Sequence, residues 1–460
     1  MSEPVRVGVV GMGTVGSGVV RLLVESADHI ERHAGRRIVV EKAVVKDLAK
    51  ARSVQVPGGR ISADYRDVSR DPAISVAALL VGGLEPARTI MIDLLEHGKD
   101  VVTANKALLA EHGPELFELA RRHGRSIAFE AAVAGGIPIV AAIGECLAAN
   151  RIESIRGILN GTSNFILTRM EEDGADYAEA LALAQAKGFA EADPSMDVDG
   201  TDATQKLAIL AHLAFGVWVP WHDIPRTGID GLDIDLLNYA AELGYRIRLV
   251  AVASRAPAAD GAAAGRLAMR VAPALVRMGT PLAETRGAYN AVSIVGDAVG
   301  RMFFHGLGAG QMPTASAVVA DIIDTVVGRA AITFRTTGVL AADTPAARVA
   351  GTEVHQRHFL RVLVADRPGV LARITGILGD EQISIASVIQ HDATGAPATG
   401  ASATGAPATG ASATGAPATG VPLVIMTHVC GSAAVQRAIE AIDASDVVRG
   451  RSVCLGVLDE

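Results

Sequence analysis

The densest reactive stretch of the chain is GFAEADPSMDVDGTDATQK, residues 188–206. It carries Glu191, Asp193, Asp197 and Asp199, and then an aspartate and a lysine four apart, Asp202 and Lys206. Residues at that spacing share one face of a helix. The apolar stripe Leu207, Leu210, Ala211 and Ala214 predicts such a helix over Asp202–Phe215, with Asp199 and Thr201 as candidate caps. An ordinary helical ion pair is the bland reading. The chemical one is a lysine whose proton is managed by a neighbouring carboxylate, a general acid/base suited to interconverting an alcohol and a carbonyl. The remaining carboxylates suit a substrate ammonium.

A second pattern belongs to phosphate chemistry. Gly11-Met12-Gly13-Thr14-Val15-Gly16 directly follows the apolar run Val5–Val10. Between a strand and a helix, the first glycine permits the tight turn and the second lets a pyrophosphate approach the backbone. The third lets helix and strand pack closely, and the helix N-terminus offers unpaired N–H groups to phosphate. The next strand ends Val44-Val45-Lys46-Asp47. Lys46 suits a 2′-phosphate and Asp47 suits ribose hydroxyls, so the residues lean to NADP and leave NAD open. Thr103-Ala104-Asn105-Lys106 follows the short strand Val101-Val102 and places Lys106 at a strand C-terminus, where parallel sheets bind ligands. Asn160-Gly161-Thr162-Ser163-Asn164 is a polar turn, either a donor set or a helix cap. Gly306–Thr314, which includes Gly308, is a second Gly-rich turn that either closes on a cofactor or packs a helix.

The elements that must position these groups follow from periodicity. Strand-like runs Val5–Val10, Ile38–Val45, Ser75–Leu80, Val101-Val102 and Ser126–Phe129 alternate with helices, one of them running from the Gly-rich turn to about Ala34. That grammar predicts βαβ units and a parallel sheet. After Glu130 come helices expected over Ile137–Ala149, Tyr177–Lys187, Asp202–Phe215 and Ala315–Val327, and strands over Ile155–Leu159, Ala268–Ala272 and Ala291–Val295. Residues 341–357 read as a linker. Beyond it Phe359–Val364, a helix to Gly379, Ile383–Gln390, Val421–Cys430, Ala433–Asp443 and Val453–Leu458 give the ferredoxin-like order β-α-β-β-α-β. Residues 394–420 repeat TGAPATGASA without a charge, an expected disordered insertion.

The whole chain, 460 residues with half of them hydrophobic, has material for several cores. Its 42 basic and 50 acidic residues form no basic block, so no nucleic-acid partner is expected. The apolar run Ala131–Gly144 is too short to span a membrane and contains Pro138. The start of the chain has no signal-peptide pattern, and Cys146, Cys430 and Cys454 form no local CxxC pair. A cytoplasmic protein is expected.

GMGTVG, VVTANKALLA, EAAVAGGIPI, GILNGTSNFIL, GFAEADPSMDVDGTDATQKLAIL and GAGQMPTASAVVAD together resemble the homoserine dehydrogenase family, and VADRPGVLARITGIL with ISIASVIQ resembles an ACT domain. The resemblance implies an α/β protein in three parts: a Rossmann-like NAD(P)-binding domain at 1–130, completed by a returning segment near 306–340; a mixed catalytic and dimerisation domain at 131–305; and an ACT domain at 358–460. It implies reversible reduction of L-aspartate 4-semialdehyde to L-homoserine, in threonine and methionine biosynthesis. Lys206 would be the acid/base, Asp202 its orienting partner and Lys106 a contact to substrate and nicotinamide. Glu191 and Asp197 would hold the substrate, with Thr162 lining its pocket. Gly11, Gly13, Thr14, Val15, Gly16, Lys46, Thr103 and Gly308 would bind the cofactor. A structural sodium ion would be held at Glu130, Val133, Gly135 and Ile137, largely by backbone oxygens. Threonine as an ACT effector and a homodimer or homotetramer complete the expectation. The chain departs from many members at Leu79, where an acidic residue is common. Two rivals remain: a phosphorylating aspartate-semialdehyde dehydrogenase, for which Cys146 has no visible partner base, and an inactive amino-acid sensor.

Overall fold

The computed structural model describes residues 3–52, 54–255, 266–336, 354–390 and 420–459. The expected linker up to residue 353 and the repeat up to residue 419 lie outside them. The chain divides into two units. One comprises Met1–Ile234, Arg248–Ala272 and Gly279–Arg348; the other comprises Asp235–Ile247, Pro273–Met278 and Val349–Glu460.

In the first unit an all-parallel sheet has the order Ile61–Ser62, Ile38–Val44, Val5–Val10, Ile74–Leu79, Asp100–Thr103, Ile127–Ala128. Its strands are continuous apolar runs because both faces are covered: Val7, Val9, Ala43, Ala77, Ala78 and Val102 are fully buried. The order reverses at Val5–Val10, and ligands bind at such a reversal, beyond the strand C-termini. Ile61–Ser62 is too short to show in the periodicity. The helix expected to run to Ala34 is two helices, Thr14–Glu25 and Ala27–Ala34, because Ser26 leaves helical geometry at φ −106° and ψ 18°. Helix Gln311–Val327 returns to this sheet, and its Ala315, Val318 and Ile322 share a core with Val7, Val19 and Val76.

In the other sheet strands follow one another in the order Gly300–Leu307, Tyr289–Gly296, Ile152–Ile158, Tyr245–Arg255, Leu267–Arg277, the last two entering the first unit only over residues 248–255 and 267–272. Two of them, Tyr245–Arg255 and Gly300–Leu307, were not expected, and Leu267–Arg277 is longer than the predicted Ala268–Ala272. The helix expected over Ile137–Ala149 forms over a shorter span, one α-turn, Ile139–Ala141, running directly into a π-turn, Ala142–Cys146. The Glu130 carboxylate accepts from the N–H groups of Val140 and Ala141 at 2.9 and 2.8 Å, capping the start of this helix from outside it.

The second unit has the expected β-α-β-β-α-β order, with sheet neighbours Val453–Leu458, His355–Val364, Val421–Thr427, Ile385–Gln390. Helices Val370–Asp380 and Ser432–Asp443 cover it, and Leu360, Val362, Ile374, Leu378, Ile425 and Ile442 fill the core. Val421–Thr427 ends before Cys430, which with Gly431 pairs separately with His355–Gln356. Gly456–Leu458 also pairs in parallel with Ala274–Val276. Among the described residues no helix is long and apolar enough to cross a membrane.

Candidate active site

Strand Ile152–Ile158 delivers the first groups. Just past its end, Asn160 caps helix Gly161–Asp173, its Oδ1 accepting from Ser163 N at 2.7 Å. The same amide donates from Nδ2 to Asp197 at 2.7 Å and to Asp202 at 2.9 Å. Asp202 and Lys206 lie on one face of helix Thr201–Phe215, as their spacing requires. Lys206 Nζ donates to Asp202 Oδ2 at 2.7 Å and to the Leu159 carbonyl at 2.8 Å. Asp199 accepts from Thr201 N at 2.7 Å, while the N-cap position itself is Gly200, in the left-handed region at φ +85°.

Lys106 arrives from the parallel sheet. It opens helix Lys106–Arg122, whose cap Asn105 accepts from Leu108 N at 3.0 Å. Asn105 also donates to the Val81 and Gly83 carbonyls at 2.9 and 2.7 Å, tying this helix start to the end of the neighbouring strand. Lys106 Nζ lies 3.1 Å from Asp202 Oδ1. One carboxylate therefore joins two lysines from opposite sides of the cleft, each to a different oxygen.

Asp202 is buried, which opposes its ionisation. The charges of Lys206 and Lys106 and the hydrogen bonds from Lys206 and Asn160 overcome this and hold its carboxyl well below the usual range. The Asp202 charge in turn raises Lys106 against the effect of burial. Asp197 moves up instead, chiefly because burial disfavours its charge, with Asp202 adding repulsion against the help of Asn160. The three neighbours are thus split into an anion, a fixed cation and a carboxyl that holds its proton more readily.

These side chains face a cleft of about 510 Å³, also lined by Val15, Thr162, Glu191 and Gly308. Thr162 donates its hydroxyl to the Phe189 carbonyl at 2.7 Å, fixing the loop that carries Glu191. A separate cavity of about 1030 Å³ lies over the Gly-rich turn and is bordered by Gly11, Gly13, Lys46, Asp47, Lys50 and Arg52. Gly11 has φ +102°, and a Cβ on Gly16 would come within 2.0 Å of the Gly11 carbonyl oxygen. Among the described residues nothing lies within 4 Å of where a Cβ on Gly13 would be. The turn is a bare-backbone cradle.

Other candidates lie apart. Thr103 is fully buried, with its hydroxyl on the Leu79 carbonyl at 2.9 Å, and borders neither cavity. Leu79 is fully buried inside its strand. The Thr14 carbonyl accepts from Gln311 at 2.9 Å, which joins the Gly-rich turn to the returning helix. Glu130 is buried, and burial raises its carboxyl against the hydrogen bonds it accepts. Ala134 takes a left-handed φ of +51°. Among the described residues no hydrogen-bond donor reaches the carbonyls of Val133 or Gly135, while that of Ile137 accepts from Ile139 N at 2.7 Å. Asn160 as a bridge between two carboxylates was not foreseen; the NGTSN turn offered only a donor set or a helix cap. Lys50 and Arg52 were also missed, since their loop carries no periodic signal.

Residues 138–323 match the family model described as homoserine dehydrogenase, and residues 11–130 match the homoserine dehydrogenase NAD binding domain. Residues 358–402 match the ACT domain. The chain is 39% identical to a homoserine dehydrogenase of Pseudomonas aeruginosa over 99% of each chain. It is 41% identical to one of Synechocystis over 84% of this chain and 89% of that one. Its fold matches the crystal structure of a homoserine dehydrogenase from Thiobacillus denitrificans with a TM-score of 0.87, at 40% identity over 99% of both chains. A hyperthermophilic archaeal homoserine dehydrogenase in complex with NADPH covers 70% of this chain, at 27% identity and a TM-score of 0.57; 97% of that chain is matched. With its nucleotide cradle, its lysine–aspartate–lysine cleft and relatives alike over nearly their whole length, the chain belongs to the homoserine dehydrogenase family of NAD-binding oxidoreductases and carries a C-terminal ACT domain.

Proposed function

We propose that the cleft interconverts L-aspartate 4-semialdehyde and L-homoserine with Lys206 as general acid and base. The observation that carries this reading is the shared carboxylate of buried Asp202, bonded to Lys206 and to the half-buried Lys106. The nicotinamide, when bound, supplies or accepts the hydride. In reduction the Lys206 ammonium gives its proton to the substrate oxygen as that oxygen becomes a hydroxyl; in oxidation the neutral amine takes it back. Asp202 stays anionic throughout, so it orients Lys206 without competing for the transferred proton. Lys106 places a second positive charge beside the substrate oxygen, where negative charge develops in reduction. Glu191 and Asp197 take the substrate ammonium, and Thr162 lines its pocket. Gly11, Gly13 and Gly16 admit the dinucleotide phosphates, with Thr14, Val15, Thr103 and Gly308 assigned to the cofactor as the family resemblance implies.

Lys46, Lys50 and Arg52 around the adjacent cavity favour NADP over NAD, because three cations can hold a 2′-phosphate and outweigh the repulsion of the single carboxylate Asp47. The open carbonyls of Val133 and Gly135 beside buried Glu130 fit a sodium ion, which would brace the turn over residues 130–137. We assign residues 1–130 with 306–340 to nucleotide binding, 131–305 to catalysis and dimerisation, and 358–460 to regulation with threonine as effector. A cytoplasmic homodimer or homotetramer is the expected form.

The test is nicotinamide absorbance during oxidation of L-homoserine with NADP and, separately, NAD. Lys206→Ala should lower kcat at least a hundredfold while leaving NADPH binding intact, and the wild type should turn over faster with NADP at alkaline than at neutral pH. Near-full turnover in the variant removes Lys206 from the reaction; amino-acid binding without any hydride transfer in the wild type favours the sensor.

A further inference from the structure

One buried polar group in the cleft has no part in the chemistry above. Asn290, on strand Tyr289–Gly296, is 1% exposed. Its Nδ2 donates to the Leu159 carbonyl at 3.0 Å, the same oxygen that accepts from Lys206. Among the described residues its Oδ1 is buried without a hydrogen-bond partner, although the residue borders the cleft. A buried acceptor left unpaired is costly, and such atoms in native proteins answer to a water, an ion or a ligand.

Two glycines fit closely around this amide. A Cβ on Gly308 would come within 2.1 Å of the amide carbon and nitrogen, and a Cβ on Gly161 would lie 3.4 Å from Oδ1. Gly308 belongs to the turn leading into helix Gln311–Val327, and Gln311 bonds the Thr14 carbonyl of the phosphate turn. Asn290 therefore stands on the cofactor side of the cleft. An ammonium already has Glu191, Asp197 and Asp202 available in this cleft. A neutral amide oxygen matches a neutral N–H donor instead.

We propose that Asn290 Oδ1 accepts a hydrogen bond from the carboxamide N–H of the nicotinamide ring and so fixes how the ring is turned beside Lys206. This rests on the NAD(P) reading of the cleft given above. Because Nδ2 is anchored on Leu159, the carbonyl that holds the acid/base lysine also holds the group that orients the ring. Proton transfer and hydride transfer are aligned through one backbone atom.

The experiment measures dissociation constants by the fluorescence of the reduced ring, using the full chain. The probes are NADPH and its reduced 3-acetylpyridine analogue, whose acetyl group keeps the carbonyl but has no N–H. The wild type should bind NADPH roughly fivefold to tenfold more tightly than the analogue, and Asn290→Ala should bind both alike. Asn290→Ser, checked by near-ultraviolet circular dichroism, serves if the alanine variant does not fold. An NADPH-to-analogue ratio that is the same in wild type and variants overturns the proposal. So does an unchanged ratio with a raised KM for homoserine, which would assign Oδ1 to the substrate ammonium. If folded wild type binds neither dinucleotide, the NAD(P) reading itself fails and Asn290 loses its role with it.

Discussion

Asp202 is the residue on which the cleft's electrostatics turn. Replacing it with asparagine keeps the shape but leaves Lys206 and Lys106 facing each other without the anion between them. Removing one partner of a buried ion pair costs about 3–5 kcal/mol, so Asp202→Asn should unfold at markedly lower urea. The pH dependence has a definite sign. The folded carboxyl is held below its unfolded value of about 3.9, so its stabilisation is complete above that value and is lost as pH falls through the folded one. The gap in unfolding free energy between wild type and Asp202→Asn should therefore narrow from neutral pH to about pH 3; a constant gap would mean the carboxylate's charge is not what stabilises the fold. At this scale the sequence was informative where spacing alone sets geometry, as for Asp202 and Lys206 on one helix face. It was silent on Asn160, because an asparagine that caps a helix and one that also bridges two carboxylates look identical in a sequence.

Elements were legible in proportion to how locally they are determined. The turn GMGTVG between strand and helix needs only its own glycines, and it formed as expected. The helix expected over Ile137–Ala149 is shorter and takes π geometry over Ala142–Cys146, and its start is capped by Glu130, ten and eleven residues upstream of the N–H groups it accepts, a pairing no propensity encodes. Helix Thr201–Phe215 adds a consequence of its own. Six residues beyond Lys206 it buries His212 against Phe117 and Trp218, and burial, with the nearby charge of Arg121, pushes that imidazole down to about 4. A folded histidine below its unfolded value of about 6.5 leaves the fold fully stable above that value. Stability then falls as pH drops toward 4, by roughly 3 kcal/mol in all. His212→Gln should flatten that loss between about pH 6.5 and pH 4.5 in urea titrations. An equally steep loss in the variant would place the acid sensitivity elsewhere.

For the whole molecule, the three-part order was readable because each part has its own grammar: alternating βαβ, then long helices, then β-α-β-β-α-β. The boundary of the second unit was not readable, since it gathers Asp235–Ile247 and Pro273–Met278 from far upstream. Sequence periodicity reports neighbours along the chain and cannot show that Gly456–Leu458 pairs with Ala274–Val276. Removing residues 350–460 therefore does more than delete a regulatory module. It strips a paired edge from Ala274–Val276, and an uncovered edge is a template for association. The truncated chain should elute as soluble aggregate in size-exclusion chromatography; a clean, fully active species would show that this pairing is dispensable, and until then effector binding is best measured on the full chain.

Helix Gln311–Val327 closes the core of a sheet whose first strand begins at Val5. Its alanines enter that core beside Val7 and Val19, and Gly18 makes room for Ala315: a Cβ there would lie 2.9 Å from it. On the ribosome, nearly three hundred residues separate the emergence of the first βαβ unit from that of the helix that seals it. At ordinary elongation rates this is on the order of tens of seconds. For that interval the nascent nucleotide-binding half travels with an open apolar seam, so the early chain is a natural client for a chaperone, and completion of the cofactor cradle is timed by translation rather than by the folding of the first 130 residues.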